Sequence, residues 1–200
     1  MIERTQITGL VLAGGLGRRM SEDGQTVDKG LQTFRGQPLI SHVLARLAPQ
    51  VNTVLVNANR NTDRYSTFGH PVVTDRIEGF AGPLAGLHSG MRACPTDWLA
   101  SAPCDAPFLP ADLVARLAHA ADVAGAQVAA ARTGRQAQPV FMLVRCALAD
   151  HLEAFLASGA RRIDAWQSTL RMAEVDFVDE QPFLNFNTRE DLLGHEGGPP

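Results

Sequence analysis

Residues 7–30 carry the chain's densest chemistry. Ile7-Thr8-Gly9-Leu10-Val11-Leu12-Ala13 is a short apolar run, and it breaks into Gly14-Gly15-Leu16-Gly17-Arg18-Arg19-Met20 before Asp28-Lys29-Gly30. An apolar run of this length predicts a buried strand. Glycines directly after it free the backbone to turn and let a ligand approach the main chain. Exposed N–H groups with Arg18, Arg19 and Lys29 beside them form a cradle for phosphate. This pattern predicts a nucleoside triphosphate site built from Gly14, Gly15, Gly17, Lys29 and one or both of Arg18 and Arg19; an ordinary surface turn is the alternative. Two commoner glycine motifs do not fit. A dinucleotide fingerprint started at Gly15 and Gly17 would need glycine where Met20 stands, and a P-loop would need Ser or Thr where Gly30 follows Lys29. Among the 18 lysines and arginines, Lys29 is the only lysine. A compact ammonium therefore sits in the loop best suited to phosphate, and planar guanidinium groups serve everywhere else.

Three more polar groups follow predicted strands. Asn57 ends the run from Val51, Asp75 follows Pro71-Val72-Val73-Thr74, and Asp105 follows the strand Trp98–Ala102 between Pro103 and Pro107. Two prolines stiffen that last loop. A fixed carboxylate beside a triphosphate suits Mg2+, which binds through one or two carboxylates and phosphate oxygens. Asp75 could face a second metal water or a nucleotide hydroxyl, and Asn57 offers a donor and an acceptor to a ribose or base. Each could equally be a turn residue. Gly82-Pro83-Leu84-Ala85-Gly86 either opens a helix toward an anion or lets that helix pack closely. Asn185-Phe186-Asn187 reads as extended, with both asparagines on one face, lining a pocket or capping the final helix.

The elements that must position these residues alternate between strand and helix. Leu39, Ile40, Val43, Leu44 and Leu47 form one helical stripe after Gln37-Pro38, and Pro49 ends it. A short helix precedes Asp75. Helices are predicted over Leu84–Cys94, after Pro110-Ala111-Asp112 with Leu113, Val114, Leu117 and Ala121 buried, over 146–158 and over 161–170. Strands are predicted over Gln127–Ala131, Gln138–Val144, Arg171–Val178 and Phe183–Phe186. Thr188-Arg189-Glu190-Asp191 caps a last helix, and His195–Pro200 is expected to be a disordered tail. The alternation predicts an α/β fold: a mostly parallel sheet with helices on both faces, right-handed crossovers, and ligands at the carboxyl ends of the strands.

Composition narrows the partners. A chain of 200 residues with 45% hydrophobic content suits one domain, residues 1–194, with a core of its own. Net charge is −3 with no basic face, which argues against nucleic acid. No apolar run reaches membrane-spanning length and no secretory signal is evident, so a soluble cytoplasmic protein is expected. The histidines show no zinc-ligand spacing. Cys94, Cys104 and Cys146 are far apart in sequence and read as small buried side chains rather than a disulfide frame. Trp98 and Phe108 read as core.

Taken together, Leu12-Ala13-Gly14-Gly15 with Arg19-Met20, Asp28-Lys29-Gly30, Asn57-Ala58-Asn59-Arg60, Gly82–Gly86, Pro103-Cys104-Asp105 with Pro107, and Asn185-Phe186-Asn187-Thr188 resemble the molybdenum cofactor guanylyltransferases of the nucleotidyltransferase superfamily. The likeness runs from about residue 7 to 193. It implies a Rossmann-like three-layer sandwich and transfer of GMP from Mg-GTP to molybdenum-molybdopterin, giving the guanine dinucleotide cofactor and pyrophosphate. By position, it implies GTP on Leu12 to Gly14, Lys29, Asn57, Asp75 and Asp105, with Mg2+ on Asp105. The N-terminal half would take GTP, and the C-terminal half, including Asn185 and Asn187, would hold the pterin, with Gly82 and Pro83 as further pterin contacts. A molybdoenzyme or its chaperone is a further partner under this reading. The stretch Ser21–Val27 departs from the family pattern, being longer and more acidic than the usual glycine-rich connection. It is expected to bulge into solvent and fold over when GTP arrives. Three alternatives stay open: a cytidylyltransferase on the same pterin, a sugar-nucleotide pyrophosphorylase, or a non-catalytic nucleotide-binding chaperone. The two enzyme rivals more often carry Ala-Ala-Gly where this chain has Ala-Gly-Gly.

Overall fold

The computed structural model describes residues 1–14, 27–77 and 82–195. Gly15, Gly17, Arg18, Arg19, most of the acidic stretch, residues 78–81 and residues 196–200 lie outside the described residues.

Strand β1 (Ile7–Leu12) is buried along its whole length. Its side chains alternate between two cores. Ile7, Val11 and Ala13 face one and Leu10 and Leu12 the other. A strand covered on both faces reads as a continuous apolar run, so the sequence pattern is unbroken there. A small hairpin follows, β2 (Thr33–Phe34) with β3 (Gln37–Pro38), and then α1 (Leu39–Leu47), whose buried residues are the five of the predicted stripe. Next come β4 (Thr53–Asn57), the short α2 (Thr62–Ser66), β5 (Val72–Val73), α3 (Pro83–Ala93) and β6 (Trp98–Pro103). Helix α4 (Leu113–Ala124) buries the four residues expected of it and ends at Gly125 with φ 56. The hairpin β7 (Val128–Thr133) and β8 (Gln136–Arg145) turns at Gly134, φ 54. Helices α5 (Ala149–Ala157) and α6 (Ile163–Gln167), strand β9 (Met172–Phe177) and α7 (Arg189–Gly194) complete the chain.

Seven strands form one sheet in the order β5-β4-β1-β6-β8-β7-β9. All neighbours are parallel except β8, which runs antiparallel to β6 and β7. Helices α1 and α4 cover one face, and α3, α5 and α6 the other. Among the described residues no helix is long and apolar enough to cross a membrane.

Three expectations need correction. The β7–β8 pair is longer than the apolar runs suggest, because the hairpin carries the ladder out through polar Arg132 to Gln138. Residues Phe183–Phe186 are not a strand. Gln181–Phe183 is a 3-10 turn started around Pro182, and Phe186 leaves any ladder to enter an aromatic cluster, 5.0 Å from the Phe34 ring and 5.7 Å from Phe108. His195 is not part of a loose tail: its ring lies 5.1 Å from that of Phe186, and its carbonyl accepts from Arg35. The capping box at Thr188 and Asp191 forms as expected.

All three cysteines are free thiols, but the fold brings two of them together. Cys94, just after α3, donates to the Thr96 carbonyl (3.2 Å); the Cys146 thiol just after β8, with Thr8 and Thr96, pulls Cys94 down to about 6, and Cys94 with burial pushes Cys146 up. Burial pushes Cys104 well above the usual thiol range. Since the thiolate is the nucleophile, iodoacetamide at pH 7 should alkylate Cys94 first, with the rate falling as pH drops through about 6. Cys104 should react only after unfolding. Peptide mapping that finds Cys104 labelled first in the folded protein would contradict this packing.

Candidate functional site

The register of β1 levels the site. Leu12 pairs with Asn57 on one side and Pro103 on the other. The ladder continues past the strand ends, where Ala13 N–H donates to the Asn57 carbonyl (2.8 Å), Cys104 N–H to that of Leu12 (3.1 Å) and Ala58 N–H to that of Val73 (3.1 Å). The ends of β1, β4, β5 and β6 thus form one rigid rim, and Gly14, Asn57, Asp75 and Asp105 stand along it.

On the β4–β5 side, Asp75 is clamped by two amides. Asn57 Nδ2 donates to Oδ1 (2.9 Å), Asn59 Nδ2 donates to Oδ2 (2.8 Å), and Asp75 N–H donates back to Asn59 Oδ1 (2.8 Å). Asn57 is 3% exposed, and its Nδ2 also bonds the Val73 carbonyl. Its donor is therefore committed to the protein, and Oδ1 lies outside these bonds. That oxygen faces Gly86 of α3 and Gly14. A Cβ at Gly86 would lie 2.1 Å from it and 2.8 Å from Leu12 Cδ2. Of the two readings of Gly82–Gly86, close helix packing accounts for Gly86. Gly82 and Pro83 are exposed at the start of α3. Asn59 was missed in the sequence reading, although its spacing from Asn57 puts both amides on one side of an extended segment.

On the β6 side, three distant pieces of chain converge. Lys29 sits in the 3-10 turn Lys29–Leu31, and its Nζ donates to Asp105 Oδ2 (3.2 Å) and to Asn187 Oδ1. The Asp105 carbonyl accepts from Phe186 N–H (2.8 Å), so the loop after β6 is tied to the segment before α7. Asn187 Nδ2 donates to the Asn185 carbonyl (3.1 Å), and Asn185 is exposed. The two asparagines flank buried Phe186 without forming a strand. The Lys29 and Asp105 side chains are 20% and 12% exposed. At that depth each charge needs the other, or a replacement.

Among the described residues no group of three or more His, Cys, Asp and Glu could hold a metal by protein ligands alone. Asp105 supplies one carboxylate whose charge is balanced by a removable ammonium. That donor set fits an ion bound through one carboxylate with ligand phosphates supplying the rest. It does not fit a closed protein cage. Both oxygens of Asp75 are taken by amides, which suits a fixed acceptor rather than a second metal ligand.

The model of the MobA-like NTP transferase domain matches residues 9–172 of the chain. The molybdenum cofactor guanylyltransferase of Cupriavidus pinatubonensis is 50% identical over 203 residues, covering 99% of this chain and 100% of that protein. The enzyme of the same name from Bordetella pertussis is 47% identical over 196 residues, covering 96% and 98%. Among solved structures, molybdopterin-guanine dinucleotide biosynthesis protein A of Archaeoglobus fulgidus superposes with a TM-score of 0.78 at 22% identity, covering 94% of this chain and 96% of that one.

The contact between Gly86 and Asn57 leaves no room for a methyl group, because Asn57 is held by its own hydrogen bonds and cannot swing away. Gly86→Ala should cost about 1–3 kcal/mol in urea unfolding, the scale of overpacking. Gly194→Ala, which meets nothing within 4 Å, should stay within about 0.5 kcal/mol. Equal stability of the two variants would refute the close approach of α3 to the rim.

Proposed function

The chain belongs to the MobA-like NTP transferase family and is a nucleotidyltransferase, and from that premise we propose that it transfers GMP from Mg-GTP to molybdenum-molybdopterin, releasing pyrophosphate. What carries the reading is the meeting of Lys29 and Asp105 at the strand-end rim, with Asn187 joining from the far end of the chain. A cation for phosphate, a carboxylate for a divalent ion and an amide from the proposed pterin half share one point. The near-50% identity to guanylyltransferases over almost the full chain supports guanine as the base and the pterin phosphate as acceptor.

The nucleoside would lie toward Gly14, Asn57 and Asp75, with the main chain of Leu12 to Gly15 along its phosphates. Asp105 would hold Mg2+, which when bound neutralises charge on the phosphate oxygens. Lys29 would then turn from Asp105 to the triphosphate, exchanging one anion for another at little change in net charge. Arg19 would add a second cation from outside the described residues. Gly82, Pro83, Asn185 and Asn187 would orient the pterin. An oxygen of the acceptor phosphate forms the new bond to the α-phosphorus, and the bond from that phosphorus to the leaving pyrophosphate breaks. The acceptor needs no general base, since a phosphate monoester loses its second proton near pH 6. The residues act by positioning and by preset charge.

Pyrophosphate release from GTP with Mg2+ and loaded molybdopterin tests the reading. Asp105→Asn should lose most activity, and Lys29→Ala a large part of it, roughly 100-fold, on the scale of removing one charge-stabilising group. Near wild-type turnover by Asp105→Asn would remove the metal role. Thermal stabilisation by each of the four triphosphates, with and without Mg2+, should be largest for GTP with Mg2+, because binding to the native state raises apparent stability. Preference for CTP would favour the cytidylyltransferase alternative, and GTP binding without pyrophosphate release would favour a chaperone.

A further inference from the structure

Asp28, immediately before Lys29, is held from outside the rim. Tyr65 of α2 donates its hydroxyl to Asp28 Oδ1, and Asn61 Nδ2 donates to Oδ2 (2.9 Å). Both donors belong to one turn, since Tyr65 N–H bonds the Asn61 carbonyl (3.0 Å), and Asn61 takes the left-handed conformation with φ 51 that asparagine tolerates. The Tyr65 ring is fully buried. Burial first, then the nearby Cys104 and Asp28, pushes its phenol upward, so the hydroxyl stays a donor. On the other side of Lys29, Gly30 is wedged. A Cβ there would lie 2.6 Å from the Tyr65 hydroxyl and 3.2 Å from Cys104 Sγ.

We propose that Tyr65 and Asn61 are positioning residues for the reaction: by engaging both oxygens of Asp28 they fix the turn that presents the Lys29 ammonium to Asp105 and Asn187. The inference rests on the triphosphate role given to Lys29 above. Two consequences follow from the geometry. The Asp28 carboxylate is turned toward α2, so it neither competes for the adjacent ammonium nor faces the incoming phosphates. The end of β4 and the connection after it also serve both flanks of the rim, with Asn57 and Asn59 holding Asp75, and Asn61 holding Asp28.

The unique lysine gives a readout that does not depend on GTP. Acylation of Lys29 by an amine-directed ester, followed by mass spectrometry with the Met1 amine as internal reference, reports how firmly the ammonium is held. Tyr65→Phe keeps the ring and removes only the hydroxyl. It should raise Lys29 labelling relative to Met1 about tenfold and lower kcat/KM for GTP about tenfold, the scale of one hydrogen bond to a charged group. Asp28→Ala removes the Asn61 bond as well and should lose at least as much, and the double variant should be no worse than Asp28→Ala alone, because the Tyr65 bond is already gone there. Unchanged labelling and unchanged GTP kinetics in Tyr65→Phe, or strictly additive losses, would overturn the proposal. A lowered melting temperature with normal labelling would also overturn it, marking the hydroxyl as a core group only. If the wild-type protein failed to use GTP, the functional reading would fall, while the labelling ratio would still decide the positioning role.

Discussion

The parallel pairing of β1 with β4 on one side and β6 on the other sets everything else. Residue Leu12 is level with both Asn57 and Pro103, so three strands deliver their C-terminal loops to one height. The pairing holds because β1 offers apolar side chains to two cores at once, with α1 covering one face and α3 the other. Burying both faces of a strand removes any choice of register, since a slip of one residue would exchange the two cores. Gly9 shows how close the cover lies: a Cβ there would come within 3.1 Å of Leu47 and Val51. The rim inherits its rigidity from this packing.

On that rim the polar groups are arranged in two sets of different character. Around Asp75 the amides of Asn57 and Asn59 satisfy a carboxylate with neutral donors, which fixes its position. Around Asp105 the partner is an ammonium on a flexible stem. An ion pair in a partly buried place gives little net stability, because desolvation offsets attraction. Its value here is that carboxylate and cation are held side by side without their side chains being locked to the backbone. Under the proposed function, a metal–triphosphate complex would offer each of them a replacement partner of the opposite sign. Asn187 accepts from the same ammonium, which ties the end of the chain to this pair.

Much of this was legible in the residues alone. The apolar run of β1, the glycines after it, the stripe of α1, the proline-bracketed Asp105 and the Thr188 capping box each signal their structure through local rules. What was not legible depends on distant packing. The apolar run of β8 does not show its direction, because a covered strand looks alike either way; only the short connection at Gly134, too short for a parallel crossover, marks it as antiparallel. Phe186 looks like an alternating strand residue, yet it is drawn into the cluster of Phe34 and Phe108, and the chain around it gives up any ladder. Tyr65 reads as one aromatic in a polar segment, and its bond to Asp28 crosses 37 positions. Cys94 and Cys146, 52 positions apart by their numbers, meet only because α3 ends beside the end of β8.

The central claim is that a metal–triphosphate complex settles where Lys29 meets Asp105. One lysine in the chain means one lysine side-chain signal in a protein labelled with 13C at the lysine ε-carbon. Saturating the protein with Mn2+–GTP should broaden that signal beyond detection, while the same nucleotide with Mg2+ should shift it and leave it sharp. A lysine signal left sharp and unshifted by bound Mn2+–GTP would place the triphosphate elsewhere and contradict the account.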